Sequence, residues 1–522
     1  MGRAIVENRW PREEAGTEMG NTVGTRSADL IGGVADARSQ LYPMLLDGQW
    51  VEAQEGGESE VTTPARRGEV IARVPASGAN DVDRAVAAAR RAQPAWAAEH
   101  FKVRSRTLAR IADDIEARAE ELARLTALDT GNALRTQARP EVATLIDLFR
   151  YFAGVAGEVK GTVLPAGEGQ LQYTRREPLG VVAAILPWNS PLMIAGFKIP
   201  AALVAGNTMV AKPAEDAPLS LLLLAEICQQ HLPPGVLNML TGRGRVCGTA
   251  LVEHADVDKV SFTGSTEVGR LVAQQAGRRL APTSLELGGK NPAIVFPDAV
   301  DDDLIDGLLL ATRFHRQGQS CTSGSRLLVH ADVHDEVMDG LVKKLGDLVV
   351  GDPLEEASDM GAIINESQFC GVRDYIADGC AQPGVKLALG GLPPSDGPLS
   401  EGYYHVPTVF DAVEPNWRIA REEIFGPVLV VTPWRDVDEA IRLANDTNYG
   451  LAAFVWSSDL NRALTTAHRI EAGWVQVNQG GGQVVGQSYG GVKQSGMGRE
   501  VSLEGMLEGF THTKQVNVRL SA

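Results

Sequence analysis

Hydrophobic and polar residues alternate in a regular rhythm between residues 179 and 287. Short apolar runs suited to buried strands occur in LGVVAAILPW, NTMVAKP, VLNMLTG, KVSFTGS and TSLELGG. Between them lie stretches with apolar positions at three- and four-residue spacing, which is typical of helices. Buried strands that alternate with helices predict a parallel sheet covered on both faces. Because ligands bind beyond the carboxyl ends of such strands, this region is predicted to bind a nucleotide.

A second alternating series runs from about 288 to 495. Its predicted strands are NPAIVF, SRLLVH, PVLVVTPW, AAFVWS and GWVQVN, and its helices include DDDLIDGLLLATRF, DVDEAIRLAND and NRALTTAHRI. Upstream, LLDGQWVEA predicts strand structure, and residues 80–125 carry amphipathic helices. Residues 1–40 are polar and are expected to form an extension outside the fold. The pattern therefore predicts an α/β protein with two α/β domains.

Composition narrows the function classes. The chain has 522 residues, of which 44% are hydrophobic, and a net charge of −17. Such an acidic balance argues against nucleic acid as a partner, because phosphates are bound by clustered Lys and Arg. No apolar run reaches the ~18 residues of a membrane span, and the start lacks the apolar centre of a signal peptide. We therefore expect a cytoplasmic protein.

The five cysteines are scattered along the chain rather than arranged as a framework. Neither Cys-x-x-Cys nor His-Glu-x-x-His occurs, so no metal site is predicted. Few and unpaired cysteines are typical of a reducing compartment.

Cys321 lies in GQSCTSGSR, between a predicted helix and a predicted strand. Buried cysteines usually sit among aliphatic side chains, where they act as small hydrophobes. Here Gly318 and Gly324 and the hydroxylated neighbours allow backbone and ligand to approach closely. A loop cysteine without a role is the alternative, and the setting favours a functional thiol.

Glu286 lies in LELGGK, where the first predicted domain passes into the second. Leu285 and Leu287 flank it, so the carboxylate is expected to be partly desolvated. Desolvation raises a carboxyl pKa towards the range useful to a general base. A salt-bridged glutamate at a strand end is the alternative.

Two strand–helix junctions offer groups to a phosphate or a ribose. FTGSTEVG brings Gly264, Ser265 and Gly269 to a helix N-terminus, whose free N–H groups favour anions. KPAE brings Lys212 and Glu215 to the end of another strand. Neither stretch has the G-x-G-x-x-G spacing, so each is a weak signal alone.

GQSYG, which contains Ser488, matches the G-x-S-x-G nucleophile elbow of serine hydrolases. That elbow requires a helix directly after the serine, whereas GGVKQSGMG follows here. Only His512 lies downstream to act as the base. We interpret the match as accidental.

PWN, KPAE, FTGS, LELGGK, GQSC and EEIFGPV follow one another in the order seen in the aldehyde dehydrogenase superfamily. The chain resembles that superfamily from about 45 to 520. The resemblance implies a Rossmann-like nucleotide-binding domain, a catalytic domain and a small β extension that joins subunits into a homodimer or homotetramer. The implied division is an N-terminal extension 1–40, an NAD-binding domain 41–160 and 179–287, a catalytic domain 288–495, and an oligomerisation extension 161–178 and 506–522.

The resemblance implies oxidation of an aldehyde to a carboxylic acid with NAD. Cys321 matches the nucleophile that forms a thiohemiacetal and then a thioester. Asn189, with the Cys321 backbone N–H, matches the oxyanion donors, and Glu286 matches the base that activates water. Lys198 and Glu500 match a position for proton handling near the thioester.

The resemblance also implies a set of cofactor positions. Lys212 and Glu215 match residues on the adenosine ribose, and Glu423 and Phe425 match residues on the nicotinamide ribose. A carboxylate at 215 repels a 2′-phosphate, which favours NAD over NADP. The whole set is Leu186, Trp188, Lys212, Glu215, Gly244, Phe262, Gly264, Ser265, Gly269, Gly288, Glu423 and Phe425.

Three departures from the superfamily pattern leave the aldehyde undefined. His315 and Arg316 stand where Phe-Asn is frequent, and SYGG replaces Pro-Phe-Gly-Gly. Ser190 stands where many relatives carry an aromatic residue, although Phe197 supplies one aromatic wall.

Three other functions remain open beside NAD-dependent oxidation. A CoA-acylating semialdehyde dehydrogenase is one, although Glu286 argues against it because such relatives generally lack this base. A thiol esterase acting at Cys321, and a binding protein that has lost catalysis, are the others.

Overall fold

The computed structural model describes residues 40–301 and 303–520 together with Arg26. These residues form a mixed α/β fold. The strands are β1 (Met44–Leu46), β2 (Gln49–Val51), β3 (Glu58–Thr62), β4 (Val70–Pro75), β5 (Val163–Leu164), β6 (Gln170–Pro178), β7 (Val181–Ile185), β8 (Thr208–Lys212), β9 (Leu237–Met239), β10 (Lys259–Thr263), β11 (Thr283–Glu286), β12 (Pro292–Val295), β13 (Arg326–His330), β14 (Lys386–Leu389), β15 (Thr408–Asp411), β16 (Val428–Trp434), β17 (Ala452–Trp456), β18 (Trp474–Val477), β19 (Gly496–Met497) and β20 (Thr511–Arg519). The helices are α1 (Ala79–Ala98), α2 (Phe101–Ala117), α3 (Ala119–Thr130), α4 (Arg139–Gly154), α5 (Pro191–Val204), α6 (Leu219–Gln229), α7 (Thr249–Glu253), α8 (Thr266–Gly277), α9 (Leu304–Thr312), α10 (His334–Gly346), α11 (Glu366–Cys380), α12 (Arg418–Arg421), α13 (Val437–Asn445), α14 (Leu460–Arg469) and α15 (Leu503–Phe510).

The first large sheet has the order β19-β11-β10-β7-β8-β9-β1-β2. Its five central strands, β11 to β9, are parallel, as the rhythm of 179–287 predicts. The chain runs from β7 through β8 to β9 on one side, then returns to β10 and β11 on the other. The strand order therefore reverses between β7 and β10, which is where open α/β sheets bind ligands.

Helix α5, which follows β7, is buried along its whole length. Its all-round apolar sequence suits a core position between the sheet and α4. Pro191 occupies the first turn, where its missing N–H costs nothing. The Glu141 carboxylate of α4 accepts the N–H groups of Leu192 and Met193 at 2.8 and 3.2 Å. This cap fixes the start of α5 and the loop before it.

The second large sheet has the order β14-β15-β16-β13-β12-β17-β18. Every pairing in it is parallel except that of β14 with β15. The segment after β11 leads directly into β12, and the loop that carries Cys321 leads into β13. The two sheets thus bring Glu286 and Cys321 to the same region of the molecule.

A third sheet joins β20, β6 and β5 in antiparallel register. It is formed by the two segments that the resemblance implies as the small β extension. Strands β6 and β20 pair over nine positions, from Gln170 opposite Arg519 to Pro178 opposite Thr511. That this sheet joins subunits stays a prediction.

The amphipathic stretch at 101–130 forms two helices, α2 and α3, which are separated at Arg118. Arg118 leaves the helical conformation at φ −113° and ψ 22°, and α3 begins at the next residue. Its guanidinium binds Glu121 and Glu226 at 2.8 and 2.9 Å. This tertiary contact with α6 holds the break, which periodicity alone does not reveal. No helix within 40–301 or 303–520 is long and apolar enough to cross a membrane.

Candidate active site

Cys321 lies half-buried in the loop between α9 and β13. Its Sγ lies 3.5 Å from the Tyr489 hydroxyl, and its carbonyl accepts the Asn291 Nδ2 at 2.8 Å. Burial raises the pKa of the Cys321 thiol to about 11, while the hydrogen bond with Tyr489 acts in the opposite direction. The resting thiol is therefore mostly protonated at neutral pH, and a nucleophilic role requires that its proton be removed.

Tyr489 is a residue of this site that sequence reasoning missed. Its ring is buried and packs against Phe197 and Trp474, with ring centroids 5.8 and 6.1 Å away. Its backbone N–H donates to the Glu500 carbonyl at 3.1 Å and its carbonyl accepts the Glu500 N–H at 2.7 Å. The signal that could have found it is the tyrosine in SYGG, where the superfamily usually has phenylalanine.

Glu286 ends β11 and is 2% exposed. Within 40–301 and 303–520, neither of its carboxylate oxygens has a hydrogen-bond partner. Burial raises its pKa well above the ordinary value, and the Glu500 charge adds to this, whereas Lys198 and Arg499 oppose it. The burial agrees with the desolvation expected from its apolar neighbours, and its role as a base stays a prediction.

Lys198 and Glu500 form a buried ion pair with Nζ and Oε1 2.6 Å apart. Ser261 lies between them, accepting from Lys198 at 3.0 Å and donating to Glu500 at 3.3 Å. In the described part of the chain, the second oxygen of Glu500 has no partner. The structure thus groups the two predicted proton-handling residues with Glu286.

Asn189 lies in the loop between β7 and α5, beside the cysteine loop. Its Nδ2 donates to the Gln319 carbonyl at 3.0 Å, and its own carbonyl accepts the Asn132 Nδ2 at 3.0 Å. Gln319 precedes Cys321 by two residues. The side-chain amide predicted to hold an oxyanion is therefore tied to the loop that carries the thiol.

Lys212 and Glu215 follow β8, as predicted. The exposed Glu215 accepts the backbone N–H of Gly244 at 3.2 Å, which joins two of the predicted cofactor residues. Lys212 is buried, and its Nζ donates to the Pro213 carbonyl at 2.7 Å. Burial lowers the Lys212 pKa. Among the described residues, no hydrogen bond links this group to Cys321.

The junction of β10 and α8 is closely packed around two predicted glycines. Ser265 caps α8, and its Oγ accepts the backbone N–H three residues later at 3.3 Å. A Cβ at Gly264 would lie 2.6 Å from Cζ of Phe262, and one at Gly269 would lie 2.4 Å from Cδ2 of Leu287. Glycine at both positions therefore lets the helix N-terminus sit this close to Phe262 and Leu287 without displacing their side chains.

Gly288 and Gly289 run between Glu423 and the cysteine loop. The Glu423 Oε1 accepts the N–H of Gly289 at 2.8 Å. A Cβ at Gly288 would lie 2.2 Å from Oε2 of Glu423, and one at Gly289 would lie 2.4 Å from the Cys321 carbonyl oxygen. Burial raises the Glu423 pKa to about 7. Because Gly288 and Gly289 have no side chains, the Glu423 carboxylate and the loop that carries Cys321 can both approach their backbone closely.

Trp188 and Phe425 form an edge-to-face pair with ring centroids 5.4 Å apart. Phe425 has a φ of 56°, and its carbonyl accepts the Gln368 Nε2 at 2.9 Å. Leu186 follows β7, and its N–H donates to the Lys212 carbonyl at 2.9 Å. These contacts bring residues from both large sheets together at the carboxyl ends of β7 and β8.

Ser488, of the elbow-like GQSYG, is exposed. The residues after it form an isolated bridge and a short 3₁₀ turn, and not the helix that a nucleophile elbow needs. Across the described ranges, no cluster of three or more His, Cys, Asp or Glu side chains is arranged to hold a metal ion.

Comparison with known proteins assigns the chain to a family. The model of the aldehyde dehydrogenase family matches residues 50–516. A hydroxyisobutyraldehyde dehydrogenase of Mycolicibacterium austroafricanum is 41% identical over 499 residues, which are 95% of this chain and 96% of that protein. The crystal structure of an NAD-dependent aldehyde dehydrogenase from Sinorhizobium meliloti has 40% identity and a TM-score of 0.89, covering 92% of this chain and 95% of its own. An NAD+ complex of the aldehyde dehydrogenase from Bacillus cereus has 37% identity and a TM-score of 0.88, covering 92% and 96%. The chain therefore belongs to the aldehyde dehydrogenase family of oxidoreductases.

Proposed function

We propose that this chain oxidises an aldehyde to the carboxylic acid with NAD+ through a thioester on Cys321. The observation that carries the proposal is one cluster around Tyr489. The Tyr489 hydroxyl contacts the Cys321 thiol, and the Glu286 carboxylate is one of the charges that act on Tyr489. Neither oxygen of that carboxylate has a hydrogen-bond partner among the described residues. A nucleophile next to a buried acid–base group is what a two-step covalent oxidation needs.

The residues fit a dinucleotide at the carboxyl edge of the first sheet. The cradle at Gly264 and Gly269, which a Cβ would fill, brings the N-terminus of α8 close to the strands and suits a pyrophosphate. Glu423 uses one carboxylate oxygen on Gly289, which leaves the other for a ribose hydroxyl. Bound NAD+ would supply the acceptor for the hydride that leaves the aldehyde carbon.

In the first step, the Cys321 thiol gives its proton to Glu286 or to water, and its Sγ bonds to the aldehyde carbon. The carbonyl oxygen takes up the electron pair and becomes an oxyanion. Asn189 Nδ2 and the Cys321 backbone N–H donate to it, and the loss of one such donor typically costs about 100–1,000-fold in rate. When the oxyanion collapses, the carbon loses hydride and the acyl group remains on sulfur as a thioester.

In the second step, Glu286 accepts a proton from water while the hydroxide adds to the acyl carbon. The C–S bond then breaks, its electron pair returns to Sγ, and the acid leaves. The thiolate takes up a proton from solvent, which restores the thiol. The Lys198–Glu500 pair gives the proton held by Glu286 a buried route away from it. Burial and the Glu500 charge raise the Glu286 pKa, which helps it hold the proton, while Lys198 and Arg499 favour the ionised form that accepts it.

Two finer features follow from exposed groups. The Glu215 carboxylate would repel a 2′-phosphate, so we propose NAD as the preferred cofactor.

Val163 and Leu164 of β5 and Leu171 of β6 expose apolar side chains on the third sheet. We propose that this sheet joins subunits into a homodimer or homotetramer, which light scattering on the purified chain tests.

An aldehyde panel tests the proposed function. NADH absorbance and the product are followed with and without CoA, for the wild-type chain and for Cys321→Ala. Acid formation that does not need CoA, and that Cys321→Ala abolishes, is the expected result. An acyl-CoA product, or oxidation that survives in Cys321→Ala, would overturn the proposal.

A further inference from the structure

We propose that Tyr489 is a catalytic residue whose phenol donates a hydrogen bond to the Cys321 thiolate each time that anion forms. Within 40–301 and 303–520, its hydroxyl is the one group hydrogen-bonded to Sγ. The inference rests on the proposed function, in which Cys321 is the nucleophile. It assigns chemistry to a position where the resembling superfamily usually has a phenylalanine, which has no hydroxyl.

Tyr489 is suited to donate a hydrogen bond and not to act as a base. Burial raises its pKa well above the ordinary value, and the charges of Cys321, Glu286 and Glu500 raise it further. The phenol therefore holds its proton more tightly than an ordinary tyrosine does. A thiolate has no proton to donate, so a hydrogen bond between it and a protonated phenol must have the phenol O–H as the donor and sulfur as the acceptor.

The hydroxyl is held in place by both its ring and its backbone. Phe197 and Trp474 pack against the ring, and the backbone is paired in both directions with Glu500. The next residue, Gly490, has a φ of 152°, and a Cβ there would lie 2.9 Å from Oε1 of Glu286. Two consecutive residues thus lie beside the thiol and the predicted base, and the packed ring and paired backbone favour the position in which the hydroxyl faces Sγ.

The donated hydrogen bond acts twice in the reaction. Before attack, the thiol proton leaves to Glu286 or to water, and Tyr489 stabilises the electron pair that stays on Sγ. This pair then forms the C–S bond, and the charge passes to the carbonyl oxygen. In hydrolysis the C–S bond breaks, the pair returns to Sγ, and Tyr489 donates to it again. Both acylation and deacylation therefore depend on the hydroxyl.

Several charged and titratable groups act on Cys321, so the experiment must separate the effect of the Tyr489 hydroxyl from theirs. Burial and the carboxylates of Glu286 and Glu423 oppose ionisation, while Tyr489 and Arg316 favour it. A hydrogen bond to a charged group is worth roughly ten- to a hundredfold in an equilibrium constant. Removing the hydroxyl should therefore lower the thiolate fraction at least tenfold at any pH below the thiol pKa.

Tyr489→Phe tests this by removing one oxygen atom and leaving the packed ring. The alkylation rate of each cysteine by iodoacetamide is measured by peptide mass spectrometry between neutral pH and pH 10 in the full chain. The exposed Cys380 serves as the internal reference, and Tyr173→Phe on β6 is the matched control. We expect Cys321 alkylation to fall about tenfold in Tyr489→Phe relative to Cys380, with no change in Tyr173→Phe.

An unchanged or faster alkylation of Cys321 in Tyr489→Phe would overturn the proposal, because it would show that the hydroxyl does not stabilise the anion. The readout needs neither aldehyde nor NAD, so it stays separate from the test of the proposed function. Near-UV circular dichroism of the variant establishes that the ring environment is intact. A second measurement, the pH dependence of kcat/KM, should show its alkaline-rising limb displaced by about one unit to higher pH in Tyr489→Phe only.

Discussion

The Nζ of Lys198 lies 2.6 Å from Oε1 of Glu500, and both side chains are sealed from solvent. The pair joins α5, which starts at the predicted oxyanion loop, to the segment just before α15. The same two charges act on Glu286 with opposite signs, since Glu500 raises its pKa and Lys198 lowers it. The same ion pair thus links two segments of the fold and influences the pKa of Glu286, the predicted base.

Lys198→Met is expected to destabilise the protein strongly. It leaves the Glu500 carboxylate buried without its cation, and breaking such a pair typically costs about 3–5 kcal/mol of the free energy of unfolding. Thermal unfolding should show the loss, and Lys198→Met combined with Glu500→Leu should recover most of it. Lys344→Met removes the exposed pair with Asp306 and should leave the melting temperature almost unchanged. Equal losses in the two lysine variants would contradict the interpretation.

Glu141, which caps α5, should make stability depend on pH. Burial raises its pKa to about 7 from the ordinary 4.5. Since the folded state holds the proton more tightly, the stabilisation is complete below pH 4.5 and is lost as the pH rises through 7. Glu141→Gln lacks this linkage, so its stability relative to wild type should rise by about 3 kcal/mol across that window.

Urea unfolding at a series of pH values measures this difference. The exposed Glu336→Gln on α10 is the control and should follow the wild-type profile. A constant offset between Glu141→Gln and wild type at every pH would show that the cap does not titrate in this range.

Asn189→Ala should slow the formation of the thioester. The variant lacks one of the two oxyanion donors, so a fall of about 100–1,000-fold in the rate of the first NADH turnover is expected. Rapid-mixing measurement of NADH isolates this step. Asn517→Ala on β20 is the control, and a variant at 189 with the wild-type rate would remove the side chain from the oxyanion site.

Glu215→Gln should relax the choice of cofactor. The exposed carboxylate is bonded to the Gly244 N–H, and neutralising it removes the repulsion of a 2′-phosphate. The ratio of kcat/KM for NAD to that for NADP should fall towards one, mainly through KM for NADP. An unchanged ratio would place the discrimination on another residue.

Much of the fold was predictable because its strands are short apolar runs with clear ends. A helix was predicted between the strands KVSFTGS and TSLELGG, and α8 (Thr266–Gly277) occupies that stretch. Cys321 stood out because hydroxylated residues and glycines surround it, and Glu286 stood out because two leucines flank it. Such signals are local, and a single sequence carries them.

The rest depends on contacts between distant residues. Tyr489 lies 168 positions from Cys321, and Glu141 caps a helix that starts about 50 positions later. Only the SYGG motif hints at Tyr489, and the residues beside Glu141 do not mark it as a helix cap. The break at Arg118 likewise depends on Glu226 of α6, whereas periodicity favours one continuous helix across it.

Intact-mass spectrometry of Glu286→Gln, mixed with NAD+ and an aldehyde that the wild-type chain oxidises, tests the central claim most directly. We expect one NADH per subunit in a rapid first phase, slow turnover afterwards, and an acyl group that accumulates on Cys321. Turnover at the wild-type rate with no adduct on Cys321 would contradict the account.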